Sequence, residues 1–178
     1  MNLDPYLPEQ VEAFKKIKSE VDEAVRNSES GNGQSVGEHV PIILCMGGYG
    51  LKHNPAYCSP HTNAQLFGPY LEFVKTLPFK QTGRISAFLD VTPIHRDIPD
   101  FYEVVDAFIW MQYGIKGTFV VDPVTKQKSR VTSTFAWWDG RLIHGSEFVN
   151  GGYSMRVDGL FTPEFKERIG LTGKVRGE

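Results

Sequence analysis

His95 and Asp97 stand two apart in the stretch PIHRDIP, and a second histidine, His144, follows downstream in IHG. On an extended segment, side chains two apart leave the same face, so the first pair can meet one ion. Arg156 comes twelve positions after His144, in YSMRVDG, a run that reads as a strand. Two neutral imidazoles and one carboxylate on one face of an octahedral ion leave three positions open, a ligand set that suits iron(II). An ion with open positions does chemistry; a closed one would only hold the fold together. Arg156, always charged and planar, suits a carboxylate held in a two-pronged, charge-assisted pair. Ser154, two residues earlier, would face the same way on a strand and add a hydroxyl donor.

Such residues need rigid elements to bring them together, and the chain supplies β-structure from residue 83 to about residue 161. The runs RISAFLDV, VVDAFIWMQY, GTFVVD, RVTSTFAWW, RLIHGSEFV and YSMRVDGLF are short, rich in β-branched and aromatic residues, and divided by turn formers. Asp139-Gly140 and Asn150-Gly151-Gly152 are tight-turn signals. Six strands without an intervening helical period predict an antiparallel sandwich or small barrel. The segment TPEFKERIG after them predicts a short helix capped by Thr162, with Pro163 at its first position and Glu164 in the first turn. The tail GKVRGE is expected to fray.

Upstream, Val11, Phe14, Ile17, Val21 and Val25 recur at steps of three and four, which predicts an amphipathic helix over Pro8–Asn27 lying against a sheet. The polar stretch NSESGNGQSVGEH (residues 28–38 at its centre) has no apolar period and reads as a mobile connection, or as a lid that orders over substrate. VPIILCM reads as a buried strand ending in a glycine turn, GGYG, which matches no phosphate-binding loop. His53 and His61 lie in one loop but lack the one-turn spacing of H-E-x-x-H, so ligation by that pair is not expected. Leu66, Tyr70, Leu71, Phe73, Val74 and Leu77 predict a second helix over Ala64–Leu77. The expected architecture is one mostly β domain, with a helical buttress and lid elements in residues 1–80.

The 178 residues suit a single domain, and 19 basic against 21 acidic residues give a net charge of −2. No global field recruits nucleic acid or an acidic membrane surface. Cys45 and Cys58 are too few for a disulfide framework and lack C-x-x-C spacing, which fits a reducing compartment. No signal sequence opens the chain and no apolar run approaches membrane-spanning length, so a cytoplasmic location is expected.

The segment from GRISAFLDVTPIHRD through WWDGRLIHGSEFVNGGYSMRVDG resembles the core of a 2-oxoglutarate-dependent Fe(II) oxygenase, with H-x-D, distal His and trailing Arg in order. Within that superfamily, the phrase from WWDG through IHG and VNGG to SMRVDG is similar to the aspartyl/asparaginyl β-hydroxylase-like and free-proline hydroxylase branch. The likeness covers about 80 of the 178 residues. That branch often has an arginine opening the strand after H-x-D, where this chain has VVDAFIW. The resemblance implies a double-stranded β-helix (jelly-roll) core. It implies Fe(II) held by His95, Asp97 and His144, with 2-oxoglutarate and O2 as co-substrates and Arg156 and Ser154 at the co-substrate's carboxylate. Succinate and carbon dioxide would be released as a small, amino-acid-derived molecule or a peptide side chain is hydroxylated. In related halogenases a small residue replaces the ligating carboxylate, so Asp97 implies hydroxylation.

Other assignments stay open. HRD is also the catalytic-loop motif of protein kinases, but Tyr102 occupies the position of the required asparagine and no glycine-rich nucleotide loop precedes it. HRD followed by Ile also resembles the iron motif of methylcytosine oxygenases, for which aromatic residues would stack a base; the scattered Lys and Arg argue against a nucleic-acid partner. A non-catalytic jelly-roll module or a cupin-like metalloprotein completes the set. Trp110 and Gln112 alternate onto one face of their strand and are candidate substrate contacts, since a buried amide needs a partner. Arg130 and Lys128 are expected on the solvated face; Arg130 and Lys116 are the alternative cations should Arg156 not hold the carboxylate.

Overall fold

The computed structural model describes residues 1–28, 42–46, 59–60, 62–89, 91–99, 101–148 and 150–176. The glycine turn after the first strand, His53, His61 and nearly all of the 28–38 connection lie outside them.

Two helices open the chain, α1 (Pro8–Lys16) and α2 (Lys18–Asn27), where the apolar period predicts one. Ile17 marks the break with ψ of 10°, yet its carbonyl still accepts from the Val21 amide at 3.1 Å, so the stripe continues across it. The second expected helix is also divided. Thr62–Phe67 is a 3-10 turn and α3 is Gly68–Val74, because Pro69 has no N–H to donate and is suited to the first turn of a new helix rather than the interior of a continuous one. As a result Phe67 is buried and Leu66 is exposed.

The strands are β1 (Ile42–Met46), β2 (Ser59–Pro60), β3 (Phe79–Phe88), β4 (Val104–Val105), β5 (Ala107–Ile115), β6 (Thr118–Val121), β7 (Lys128–Arg130), β8 (Phe135–Ala136), β9 (His144–Ser146), β10 (Asn150–Phe161) and β11 (Lys174–Val175). They form a six-stranded sheet in the order β2-β1-β3-β10-β5-β8, a three-stranded sheet β7-β6-β9, and a β11-β4 pair. The chain alternates between the two larger sheets: β5 lies in the first, β6 and β7 in the second, β8 in the first, β9 in the second and β10 in the first. Hence the Asp139-Gly140 turn, closed by the Leu142 amide on the Asp139 carbonyl at 2.9 Å, links two sheets and makes no hairpin. For the same reason RVTSTFAWW is not one strand; β7 and β8 at its two ends belong to different sheets.

The large sheet has two contrasting faces. Ile85, Ala87, Ile109, Met111, Tyr113, Phe135, Met155 and Val157 pack with Phe14, Val21, Tyr70 and Phe73 of the helices into the main core. Phe14 lies at its centre, stacked on Tyr113 with ring centroids 4.0 Å apart. The opposite face carries Ser86, Phe88, Phe108, Trp110, Gln112, Ser154, Arg156 and Asp158, set side by side by the register Ser86–Arg156–Trp110 and Phe88–Ser154–Gln112. A second, smaller apolar cluster on that face joins Phe108, Trp110, Ala136 and Trp138, with Val120 of the small sheet packed against it.

After β10, α4 (Pro163–Arg168) forms as expected, with the Thr162 side chain accepting from the Phe165 amide at 3.2 Å. The tail is docked as far as Arg176: β11 pairs in parallel with β4, Val175 is buried, and Arg176 reaches Asp106 at 2.9 Å. Among the described residues, no helix is long and apolar enough to cross a membrane.

Phe14→Ala should cost about 3–5 kcal/mol of unfolding free energy in urea titrations, because it opens an aromatic-lined cavity that the sheet cannot collapse into. A loss below about 1 kcal/mol would mean that α1 contributes little to the core.

Candidate metal centre

β9 is the element on which the site is assembled. On one side it pairs with β6 through His144–Val120 and Ser146–Thr118. On the other lies the irregular segment ahead of Asp97: His95 and His144 exchange both backbone hydrogen bonds at 3.0 Å, and the Ser146 amide donates to the Thr92 carbonyl at 2.9 Å. The segment can lie this close because residue 145 is glycine; a Cβ there would stand 3.0 Å from the Thr92 carbonyl and 3.2 Å from that of Pro93. Asp97 is fixed from a different direction, its amide donating to the Gly140 carbonyl at 2.9 Å. Gly140 also makes room for it, since a Cβ there would lie 3.1 Å from that of Asp97.

The three side chains converge on one point. Each histidine Nδ1 lies beside a main-chain carbonyl two residues earlier, Pro93 for His95 at 2.7 Å and Leu142 for His144 at 2.8 Å. A carbonyl only accepts, so in both rings Nδ1 carries the proton and the neutral ring presents its lone pair at Nε2. Both Nε2 atoms face the same oxygen, Asp97 Oδ1, at 3.2 Å from His95 and 3.5 Å from His144. All three ligand atoms lie within 4.8 Å of one another. Adjacent ligands about 2.1 Å from one ion stand about 3 Å apart, close to these spacings. Nδ1 hydrogen bonds that fix the tautomer are the usual support of metal-ligating histidines. His144 is buried while His95 is partly exposed, so the group opens to solvent on the His95 side.

Arg156 takes the other carboxylate oxygen. Its Nη1 donates to Asp97 Oδ2 at 2.7 Å, and its Nε and Nη2 donate to Asp158 Oδ1 at 2.9 and 2.8 Å. The guanidinium lies over the Phe108 ring, 4.1 Å from its centroid. Burial alone would raise the Asp97 pKa, but Arg156 and the two imidazoles outweigh it and hold the carboxyl far below the usual range. The same contact works in reverse on His95, whose pKa is raised chiefly by its hydrogen bond to Asp97. Further back, burial pushes Asp106 up to about 6 despite Arg176 and Arg156, with Asp158 and Asp97 adding to the rise.

The inner face holds more than the expected residues. Ser154 is fully buried and accepts from Lys116 Nζ at 2.9 Å. Trp110 and Trp138 touch at 5.4 Å between centroids, and Trp138 continues to His144 at 5.3 Å. Gln112 is committed differently from a substrate amide: its Nε2 donates to the carbonyls of Val131 at 3.1 Å and Ser133 at 3.0 Å, tying down the crossing between sheets. Its Oε1, both indole Nε1 atoms, Ser86 Oγ, Thr118 Oγ1 and Asp158 Oδ2 are buried without a hydrogen-bond partner among the described residues. Orphaned polar atoms at this density mark a surface built to meet a ligand or water. Trp138 and Asp158 had no chemical motif to single them out, and Lys116 stood only as an alternative cation to Arg156. Arg130 and Lys128 are at the surface as expected, both paired with Glu147. A separate cleft of about 430 Å³ lies between Met1–Asn2 and the β6–β7 hairpin, and of the inner-face aromatics it shares Trp138.

No protein-family model matches the chain, and no curated protein is significantly similar to it.

His144→Ala should lower divalent-metal affinity at least tenfold, read by calorimetric titration of Mn(II) or Zn(II). Unchanged stoichiometry and affinity would remove His144 from the ligand set. Metal binding to the intact protein should weaken as the pH falls through the raised His95 pKa, because the proton and the ion compete for one lone pair. Asp106 predicts a stability effect of definite sign. Its folded pKa of about 6 exceeds the unfolded value near 3.9, so its contribution is complete below the unfolded value and is lost as the pH rises through 6. Asp106→Asn should therefore gain up to about 3 kcal/mol over the parent between pH 4 and pH 7 in urea melts. A stability difference that does not change with pH would show that Arg176 fully compensates the charge.

Proposed function

We propose that this chain is a non-haem Fe(II)- and 2-oxoglutarate-dependent oxygenase that hydroxylates a small, amino-acid-derived molecule or a peptide side chain. The observation that carries the proposal is the convergence of His95 Nε2, His144 Nε2 and one oxygen of Asp97, with both Nδ1 atoms locked on carbonyls. Two imidazoles and a carboxylate favour iron(II) and leave coordination positions for a chelating co-substrate and oxygen. The alternation of strands between two sheets supports a jelly-roll (double-stranded β-helix) reading of the fold, with the ligands on its inner side.

Bound by these three residues, Fe(II) would supply activation of dioxygen, with 2-oxoglutarate as the two-electron reductant. The protein's own part is positioning. His95 and His144 hold their lone pairs toward one point, and Asp97 fills a third ligand position that a halide would otherwise need. Phe88, Phe108, Trp110 and Trp138 line the inner face with apolar surface, which strengthens the charge interactions beside them. The unpartnered indole N–H groups suit a ligand with acceptor oxygens, as amino acids and keto acids have.

Protein loaded with Fe(II) should convert 2-oxoglutarate to succinate, and a pool of amino acids or peptides should stimulate the turnover. Mass spectrometry of succinate and of a product 16 Da heavier than its substrate gives the measurement. Absence of succinate together with absence of 2-oxoglutarate binding to the metal-loaded protein would defeat the proposal. Asp97→Gly should abolish hydroxylation.

A further inference from the structure

The cleft between Met1–Asn2 and the β6–β7 hairpin lies outside the metal centre: none of His95, Asp97 and His144 lines its volume of about 430 Å³. That volume is within the roughly 300–1,000 Å³ of small-molecule sites. Val120, Val131, Ala136, Trp137, Trp138 and Leu142 make its walls largely apolar and aromatic. Each charged side chain on the lining is already engaged. Arg130 donates to Glu147 at 2.8 Å, Arg141 Nε donates to both oxygens of Asp139 at 2.9 and 3.0 Å, and Asp122 accepts from the amides of Val124 and Thr125 at 2.9 and 2.7 Å. The Met1 amine donates to the Trp137 carbonyl at 2.6 Å. A charged ligand would lose hydration in the cleft without gaining a new counter-ion, a cost that a neutral ligand escapes. Tryptophan rings in the wall favour an aromatic partner.

We propose that this cleft is a second small-molecule site, that it takes an uncharged aromatic ligand, and that its occupant tightens metal binding at His95, Asp97 and His144. The lining is continuous with the support of two of those residues. The Leu142 carbonyl lies 2.8 Å from His144 Nδ1, and the Trp138 and His144 ring centroids are 5.3 Å apart. Val120 pairs with His144 across the β6–β9 ladder. The Leu142 amide donates to the Asp139 carbonyl, and the Gly140 carbonyl between them accepts from the Asp97 amide, both at 2.9 Å. Residues 138–142 therefore border the cleft and also fix His144 and Asp97. A molecule packed against Trp138 and Leu142 restrains that segment, and an ion that needs both ligands in place binds more tightly once they are held. The coupling rests on metal binding by the three residues; occupancy of the cleft does not.

Tryptophan fluorescence reads the site, because Trp137 and Trp138 are two of the chain's three tryptophans. Benzyl alcohol should change the signal saturably, and benzoate and benzylammonium should bind at least about tenfold more weakly. Ser129 lines the cleft from an exposed position on β7. Ser129→Trp should fill the space and weaken benzyl alcohol at least about tenfold, read by calorimetry because the variant adds a fluorophore. In the parent protein, saturating benzyl alcohol should raise Mn(II) affinity about fivefold or more, and Mn(II) should raise benzyl alcohol affinity by the same factor. Absence of saturable binding, equal binding of the charged analogues, or binding that survives Ser129→Trp overturns the site. An Mn(II) affinity that does not rise with benzyl alcohol overturns the coupling. Failure to bind Mn(II) with or without benzyl alcohol would remove the metal centre and the coupling together, while saturable benzyl alcohol binding would still uphold the cleft site.

Discussion

A carboxylate taken out of water must have positive charge or donors around it, and much of the inner face answers that requirement for Asp97. One of its oxygens is held by Arg156, which leaves the other facing the Nε2 atoms of the two imidazoles. Arg156 is in turn balanced by Asp158 and backed by the Phe108 ring. Asp106 lies near the same charges, and its own partner, Arg176, follows directly on β11. The two C-terminal strands thus do different work: β10 carries Arg156 to the ligand, and β11 closes the charge network behind it. A buried array of this kind is poor as a stabilising device, since breaking even costs well-made hydrogen bonds. It is well suited to holding one carboxylate oxygen in a chosen direction.

Alternation between the sheets explains why so many polar groups collect on one side. β3, β5 and β10 send alternate residues toward the helices, where the helix stripes cover them with apolar surface. The other residues face inward, away from the helices, and there the chain places Ser86, Gln112, Ser154, Arg156 and Asp158 beside Phe108 and Trp110. An antiparallel sheet with one face on a helical core leaves the second face available for chemistry. The small sheet contributes His144 and, through its bridge to His95, the rim of the site.

Much of this was legible before any coordinates. The apolar period of residues 8–27, the alternation along RISAFLDV and YSMRVDGLF, and the cap at Thr162 are local signals, and each marks an element that forms. Two of the failures share one cause. RVTSTFAWW has uniform strand character, but its middle is pulled between two sheets, with Asp4 accepting the Thr134 and Phe135 amides at 2.9 and 2.7 Å. GKVRGE has little apolar content, yet docks because β4 offers a free edge and Asp106 a charge. Neither partner is close in sequence, so no local pattern could announce them.

For the site the division is sharper. Residue types and order in His95, Asp97, His144 and Arg156 were enough to nominate a metal and an anion-binding arginine, because ligand chemistry is a property of side chains whatever surrounds them. Which atom each side chain presents was settled only in three dimensions: by the carbonyls of Pro93 and Leu142 behind the rings, and by the glycines at 140 and 145 that let separate segments touch. One partner of Arg156 was likewise decided there. Asp158 stands two residues on along the same strand, within reach by spacing alone, whereas only the tertiary structure brings Asp97, 59 residues away, to the other side of the guanidinium.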